Sequence, residues 1–186
     1  MEGPFRAVLD ASVLYPLPLR DTLLRVAEIE LYDPYWSQRI LDEVARNLVA
    51  DARASEQQAR NLIDAMSDAF NEALVPEDAI TQLEPAMRND PNDRHVLAAA
   101  VASDAQAVVT LNLKHFPTEA CEPFAVEPLH PDSFLLDLYG LDSDHVFDVV
   151  ERQAAVLSRP PMTTNGLLDR LTATVPDFAQ ALRAHS

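Results

Sequence analysis

The chain has 186 residues, of which 48% are hydrophobic and 24% are charged, and its formal net charge is −16. This is the composition of a globular protein, and it excludes disordered, collagen-like and fibrous classes. The length allows one compact domain with an appendage, and a single cysteine, Cys121, excludes a disulfide framework or a cysteine-rich zinc site.

The amino terminus lacks a basic segment followed by a long apolar run, and no window approaches ~18 uncharged apolar residues. We therefore expect a cytoplasmic protein that does not associate with a membrane. The negative charge is concentrated in residues 61–87 and 115–150, which carry six and eight of the 30 acids and no Lys or Arg. Elsewhere the charges nearly balance, so the net charge does not exclude an anionic ligand such as a nucleic acid.

In chain order, short apolar runs alternate with helical patterns, which indicates an α/β fold. Residues 7–9 are typical of a buried parallel strand, which ends at Asp10. A helix is predicted over about 19–28 and a short strand near 29–32, broken by the Asp-Pro pair at 33–34. Ser37 is predicted to cap the next helix, and Ser55 with Gln58 forms the capping-box pattern for the helix after it.

Residues 88–95 are rich in turn formers and precede a predicted small-residue helix over 96–101. Residues 107–110 form the clearest predicted strand, and a last short strand is expected near 124–127. Beyond Pro131, three helical patterns at about 132–139, 143–158 and 164–174 indicate a helical extension. We therefore predict a main domain over residues 1–130 and an extension over 131–186, docked on that domain or on a partner.

Several oxygen-bearing side chains fall where a parallel sheet collects its ligands, beyond the carboxyl ends of its strands. Asp10 follows the first strand, and Asn112 follows the strand at 107–110. Asp93 lies in the first turn of the preceding helix, just after Asp90, and Glu43 lies on the helix that follows Ser37. Clustered carboxylates repel one another and require a cation or protons, and oxygen ligands favour Mg²⁺ or Mn²⁺ over zinc.

Four segments, in this order, resemble the motifs of PIN domains, the fold of VapC-type toxins: VLDASVL at 8–14, LDEV at 41–44, DPNDRHVLAAA at 90–100 and VTLNLKHFP at 109–117. The resemblance covers about residues 5–130, and the tail resembles the extension of a longer VapC-type subgroup. It implies a three-layer α/β/α fold with a mainly parallel sheet. It also implies a metal-dependent endoribonuclease, usually held inactive by a small antitoxin encoded beside it.

By this resemblance, Asp10, Glu43 and Asp93 are the catalytic acids and ligands of one or two Mg²⁺ or Mn²⁺ ions. Asn112 stands where many members have a fourth aspartate, and Asp90 is the alternative source of that carboxylate. Six residues are candidates for contact with RNA: Ser12, Arg39, Arg46, Arg94, Lys114 and His115. We expect His95, like His115, to face the surface or the RNA and not to bind the metal.

Each site residue also has a structural alternative. Glu43 is then a surface acid paired with Arg39 or Arg46, and Asp90 or Asp93 caps the following helix, a role that we assign to Asp90 more readily. Two other functions stay open. One is a non-catalytic PIN-like scaffold. The other is a phosphatase of the haloacid dehalogenase type, which requires a second aspartate where Ser12 stands. A homodimer is a further possibility.

Overall fold

A computed structural model describes residues 4–156 and 162–185. The chain forms two compact units, each of which is discontinuous in sequence. The first unit comprises Met1–Tyr15 and Tyr32–Leu129, and the second comprises Pro16–Leu31 and His130–Ser186.

The first unit contains a parallel sheet of four strands in the order β2-β1-β3-β4. The strands are β1 Arg6–Leu9, β2 Asp33–Tyr35, β3 Ala107–Val109 and β4 Glu127–Leu129. Consecutive residues of β1 and β3 are buried, which requires cover on both faces of the sheet. The predicted α/β fold class, with a PIN-like parallel sheet between helices, is therefore confirmed.

The helices of the first unit are α1 Ala11–Leu14, α3 Gln38–Ala50, α4 Glu56–Ala69, α5 Glu77–Leu83, α6 Arg94–Ala102 and α7 Thr118–Cys121. Short 3₁₀ turns lie at Glu84–Ala86, Leu113–His115 and Glu122–Phe124. The predicted cap at Ser37 and the predicted capping box of Ser55 and Gln58 are confirmed. Helix α5 was not predicted from the sequence.

The two outer strands lie later in the chain than predicted, so the positions 29–32 and 124–127 are wrong. Each outer strand contains a proline, Pro34 in β2 and Pro128 in β4. The N–H of Asp33 donates to the carbonyl of Phe5, just before β1, and the N–H of Glu127 donates to the carbonyl of Gln106, just before β3. The nitrogen of the proline that follows each of them therefore points away from the sheet. Proline is tolerated in an edge strand for this reason, whereas in the sequence it argues against a strand.

The second unit is helical and consists of α2 Leu17–Glu28, α8 Pro131–Leu141, α9 Ser143–Val156, α10 Thr164–Leu171 and α11 Pro176–Arg183. Helix α2 belongs to this unit, where the buried Thr22 hydroxyl donates to Gln153 of α9 at 2.7 Å. The last residues of the helix predicted over 143–158 lie outside the described residues. No helix within the described ranges is both long and apolar enough to cross a membrane.

Helix α11 was missed because the group that caps it is distant in sequence. The buried carboxylate of Asp132 accepts hydrogen bonds from the N–H groups of Asp177 and Phe178, at 3.0 and 2.8 Å. These N–H groups belong to the first turn of α11, where helices have no internal acceptor. The carboxylate of Asp132, 45 residues before Asp177, therefore caps α11, whereas α3 and α4 are capped by a serine next to the helix.

Candidate active site

Asp10 lies between β1 and α1 and is 4% exposed. Its Oδ1 accepts the N–H of Ala11 at 2.8 Å, which caps α1. Its Oδ2 accepts the hydroxyls of Ser12 and Thr110, both at 2.8 Å. All three donors are neutral, so the carboxylate is held in one orientation while its charge stays uncompensated within the described parts of the chain.

Thr110 connects Asp10 to the loop after β3 and was not predicted as a site residue. Its fully buried hydroxyl accepts the N–H of Asn112 at 3.0 Å while donating to Asp10. The Ser12 hydroxyl accepts the N–H of Leu111 at 3.0 Å in the same way. The two hydroxyls thus fix the loop that carries Asn112 against the carboxylate at the end of β1. The sequence signals for Thr110 are its position at the end of the predicted strand 107–110 and its place in the fourth PIN-like segment, 109–117.

Glu43 on α3 and Asp93 before α6 line one open cavity of about 460 Å³. Burial raises the pKa of Glu43, and the negative charges of Asp10 and Asp93 raise it further, against the opposing charge of Arg46. Burial also raises the pKa of Asp93, a hydrogen bond with His115 lowers it, and the charge of Asp10 raises it again. Asp10 and Asp93, which are distant from Glu43 in the chain, therefore lie close enough to repel its charge, but the ligand oxygens of the three acids do not all lie within 4.8 Å of one another.

Asp93 also belongs to a second grouping. Ligand atoms of Asp90, Asp93 and His115 all lie within 4.8 Å of one another, and His115 Nδ1 is 2.6 Å from Asp93 Oδ2. Asp93 occupies the N-cap position of α6 but makes no side-chain capping bond, and the Asp90 carboxylate accepts the N–H of Asn92 in the preceding turn. The expected capping of α6 by either side chain is therefore wrong.

The candidate RNA-binding cations differ in what they already contact. Arg39 Nη2 lies 2.8 Å from Glu84 and 2.9 Å from Glu77, so the alternative ion pair of Arg39 with Glu43 is wrong. Arg46 is exposed and lines the cavity beside Glu43.

Two further candidates lie near the ends of α6 and β3. The Arg94 Nε donates to the backbone carbonyl of Asn89 at 3.4 Å, and Lys114 is exposed on the 3₁₀ turn after Asn112. Arg46 and Lys114 are thus the more accessible of these four cations.

His95 and Asn89 lie inside the protein next to the site. His95 is 8% exposed and lines the cavity, so the expectation that it faces the surface is wrong; the helix α6 that carries it is buried along most of its length. Burial lowers the pKa of His95, and the charge of Arg39 lowers it further. The amide of Asn89, 3% exposed, donates to the carbonyl of Asp93 at 3.0 Å and so fixes the turn that carries this acid.

The donor set fits a hard divalent cation. Asp10, Glu43 and Asp93 supply carboxylate oxygens whose charges repel, and a bound cation would offset that repulsion. Asp90 lies within reach of Asp93. The number of ions and the share of Asn112 in holding them stay predictions.

Comparison with known proteins places the chain in a family. The model of the PIN domain family matches residues 6–114, more than half of the chain, so the chain belongs to the PIN domain family. The family described as VapC50 C-terminal domain matches residues 131–184. The resemblance to a VapC-type PIN protein with a C-terminal extension is therefore confirmed.

One relative is the Mycobacterium tuberculosis (strain ATCC 25618 / H37Rv) protein named "Putative ribonuclease VapC50". It is 46% identical over 130 residues, which cover 70% of this chain and 71% of that protein. No solved structure matches the chain.

Proposed function

We propose that this protein is a metal-dependent endoribonuclease, the toxin of a toxin–antitoxin pair. The observation that carries the proposal is that Glu43 and Asp93 line one open cavity and that the charge of the buried Asp10 raises the pKa of both. Membership of the PIN family and the similarity to a protein named as a ribonuclease support the same activity.

In this proposal Asp10, Glu43 and Asp93 hold one or two Mg²⁺ or Mn²⁺ ions, with Asp90 and Asn112 as further ligand candidates. When bound, a divalent cation supplies the positive charge that stabilises the negative charge developing on the phosphoryl oxygens during cleavage. Asp10 is oriented in advance by its three hydrogen bonds, so its carboxylate needs little rearrangement to take part.

The protein's own cations bind the substrate backbone. Arg46, exposed beside Glu43, takes the phosphate nearest the acids, and Arg94, Lys114 and His115 bind the RNA further along. Arg39, tied to Glu77 and Glu84, has the smaller share. Single-stranded or looped RNA is the substrate class, because only unpaired nucleotides reach such a cavity easily.

The expected protein partner is an antitoxin, with a second copy of the chain as the other expected partner. The acidic tracts at 61–87 and 115–150 suit a basic antitoxin segment. Reversing the charges of Asp142, Asp144 and Asp148 should then abolish the complex. Cleavage of cellular RNA accords with a cytoplasmic location.

The test is cleavage of single-stranded RNA with Mg²⁺ or Mn²⁺ by the wild type and by Asp10→Asn. The variant keeps a similar shape and one oxygen acceptor but loses the charge, so we expect a folded protein without cleavage. Asp64→Asn, which removes an exposed acid on α4, is the matched control and should cleave normally. Retained cleavage in Asp10→Asn would refute the proposed mechanism.

A non-catalytic scaffold is the second candidate, since Asn112 brings no charge where many family members have an aspartate. On that reading neither Mg²⁺ nor Mn²⁺ raises the melting temperature, whereas an ion bound at the acids must stabilise the fold by mass action. A haloacid dehalogenase type of phosphatase is not proposed, because Ser12 stands in place of the second aspartate and donates its hydroxyl to Asp10.

A further inference from the structure

We propose that His95 is a substrate-recognition residue of the acidic cavity, where its imidazole hydrogen-bonds the RNA nucleotide next to the cleaved phosphate. The contact is with an uncharged polar group of that nucleotide, at its base edge or its 2′-hydroxyl. This inference rests on the proposed ribonuclease function and adds to it a residue that selects the substrate.

The first argument is the burial of a polar ring without internal partners. His95 is 8% exposed, and the five residues after it on α6 are all buried and apolar. Its Nδ1 is sealed from solvent and has no hydrogen-bond partner within the described residues. Such an atom destabilises a fold, and an apolar side chain of similar shape would pack there more favourably. The fold alone therefore does not account for a histidine at this position.

The second argument is the place of the ring in the cavity. His95 is one of the residues that line it, together with Glu43, Arg46 and Asp93. Nε2 makes no hydrogen bond with any described side chain or backbone group, and it is not among the sealed atoms. This edge of the ring is therefore the one that can meet a molecule in the cavity.

The third argument is what the other polar groups of the cavity already do. The acids Glu43 and Asp93 face each other's negative charge and suit a cation. Arg39 is held by two glutamates, and Arg46 is the accessible cation for a phosphate. The lining side chains that are neither acids nor arginines are then Asn92, which is exposed in the turn before α6, and the buried His95, whose imidazole carries one donor and one acceptor for the uncharged part of a nucleotide. Such groups are what unpaired RNA offers at its base edges and its 2′-hydroxyl.

The test compares His95→Phe, which keeps a ring and removes both nitrogens, with His95→Gln, which keeps a donor and an acceptor. His145→Gln is the matched control, since His145 is exposed in the second unit and pairs with Asp142 there. The probes are single-stranded RNA oligonucleotides that differ in the bases on either side of the mapped cut. A second set carries single 2′-deoxy substitutions at the same nucleotides.

For His95→Phe we expect KM to rise about tenfold, the loss of one hydrogen bond, while kcat changes less than about threefold. Preference at one flanking nucleotide should flatten in this variant. If the contact is with the base, changing that base should raise the KM of the wild type about tenfold and leave the KM of His95→Phe unchanged. If the contact is with the 2′-hydroxyl, the 2′-deoxy substitution should have this effect instead. The melting temperature should stay equal or rise, because an unpartnered buried nitrogen is removed, and His145→Gln should match the wild type throughout.

Cleavage by His95→Phe with wild-type KM and wild-type preference would overturn this inference and leave the ribonuclease function standing. A marked fall in melting temperature with equal losses in kcat and kcat/KM would also overturn it, since that is the signature of a structural role. If His95→Phe does not fold, His95→Gln decides, because its amide should alter the preferred flanking nucleotide and an unaltered preference refutes the contact. Absence of RNA cleavage by the wild type with either ion overturns the proposed function, and the inference with it.

Discussion

The hydroxyl of Thr110 should matter for both the stability of the fold and the activity of the site. It donates to Asp10 Oδ2 at 2.8 Å and accepts the N–H of Asn112 at 3.0 Å, and the side chain is fully buried. Thr110→Val replaces the hydroxyl by a methyl group of nearly the same size. The substitution therefore removes two hydrogen bonds while leaving the shape of the core intact.

The size of the effect follows from these two contacts. A hydrogen bond to a carboxylate contributes about 1.5–3 kcal/mol, and an unpartnered N–H costs about 1–3 kcal/mol when fully buried. Asn112 is half-buried, so water takes over part of the second loss, and burial of the new methyl group returns about 1 kcal/mol. We expect the free energy of unfolding to fall by about 2–3 kcal/mol, which for a chain of this length lowers the melting temperature by about 4–12 °C.

Cleavage should fall as well, because Asp10 then keeps only one of the two hydroxyls that orient its Oδ2. We expect at least about a tenfold loss of kcat with Mn²⁺, since small misplacements of reacting groups are costly. The assays are thermal unfolding followed by circular dichroism and cleavage of single-stranded RNA. Thr110→Ser, the control, keeps both hydrogen bonds, loses about 1 kcal/mol with its methyl group and should retain cleavage. A Thr110→Val protein as stable and active as the wild type, or a Thr110→Ser protein as inactive as it, would refute the reasoning.

Three further outcomes are expected. The pKa of Glu43 is raised in the folded protein, so its protonated form favours folding when the pH is below the pKa of the unfolded state, near 4.5. That contribution to stability is lost as the pH rises through the folded-state pKa. In urea unfolding without divalent ions, the free energy of unfolding of Glu43→Gln should therefore rise relative to that of the wild type towards neutral pH. The difference should be less than about 1 kcal/mol because Glu43 is only half-buried. Parallel pH profiles of the two proteins would contradict this. Excess Mn²⁺ should raise the melting temperature of the wild type more than that of Glu43→Gln, and an unchanged wild type would favour the scaffold alternative. In the second unit, Asp132→Ala should cost about 2 kcal/mol and speed hydrogen exchange in α11, whereas the exposed Asp137→Ala should do neither; equal effects of the two would exclude the capping role.

The parts of the fold that were predicted correctly are those specified by neighbours in sequence. Residues 7–9 of β1 and the whole of β3 are continuous apolar runs, and such runs are what a strand covered on both faces requires. The caps at Ser37 and Ser55 act on N–H groups three residues away, so their pattern is visible in any window of the chain. The order of the four motifs led to the PIN family in the same way.

The errors share a different physical origin. Whether Pro34 and Pro128 can belong to strands depends on which strands lie at the edges of the sheet, and no local pattern contains that information. Helix α11 begins where Asp132, far away in the chain, reaches its first turn. Helix α5 was not predicted because it has only seven residues and no side-chain cap, so its sequence pattern is weak.

At the site, the residue types in the sequence determined that carboxylates were available and that they would suit a hard cation. Only the tertiary structure decided which groups orient and surround them. Thr110 donates a hydrogen bond to Asp10 because β1 and β3 are adjacent in the sheet. Arg39 forms ion pairs with Glu77 and Glu84 and none with Glu43. His95 was buried because α6 packs into the core. Chemical character is a property of single residues, whereas distance and burial are properties of pairs brought together by folding, and a linear pattern records only the first.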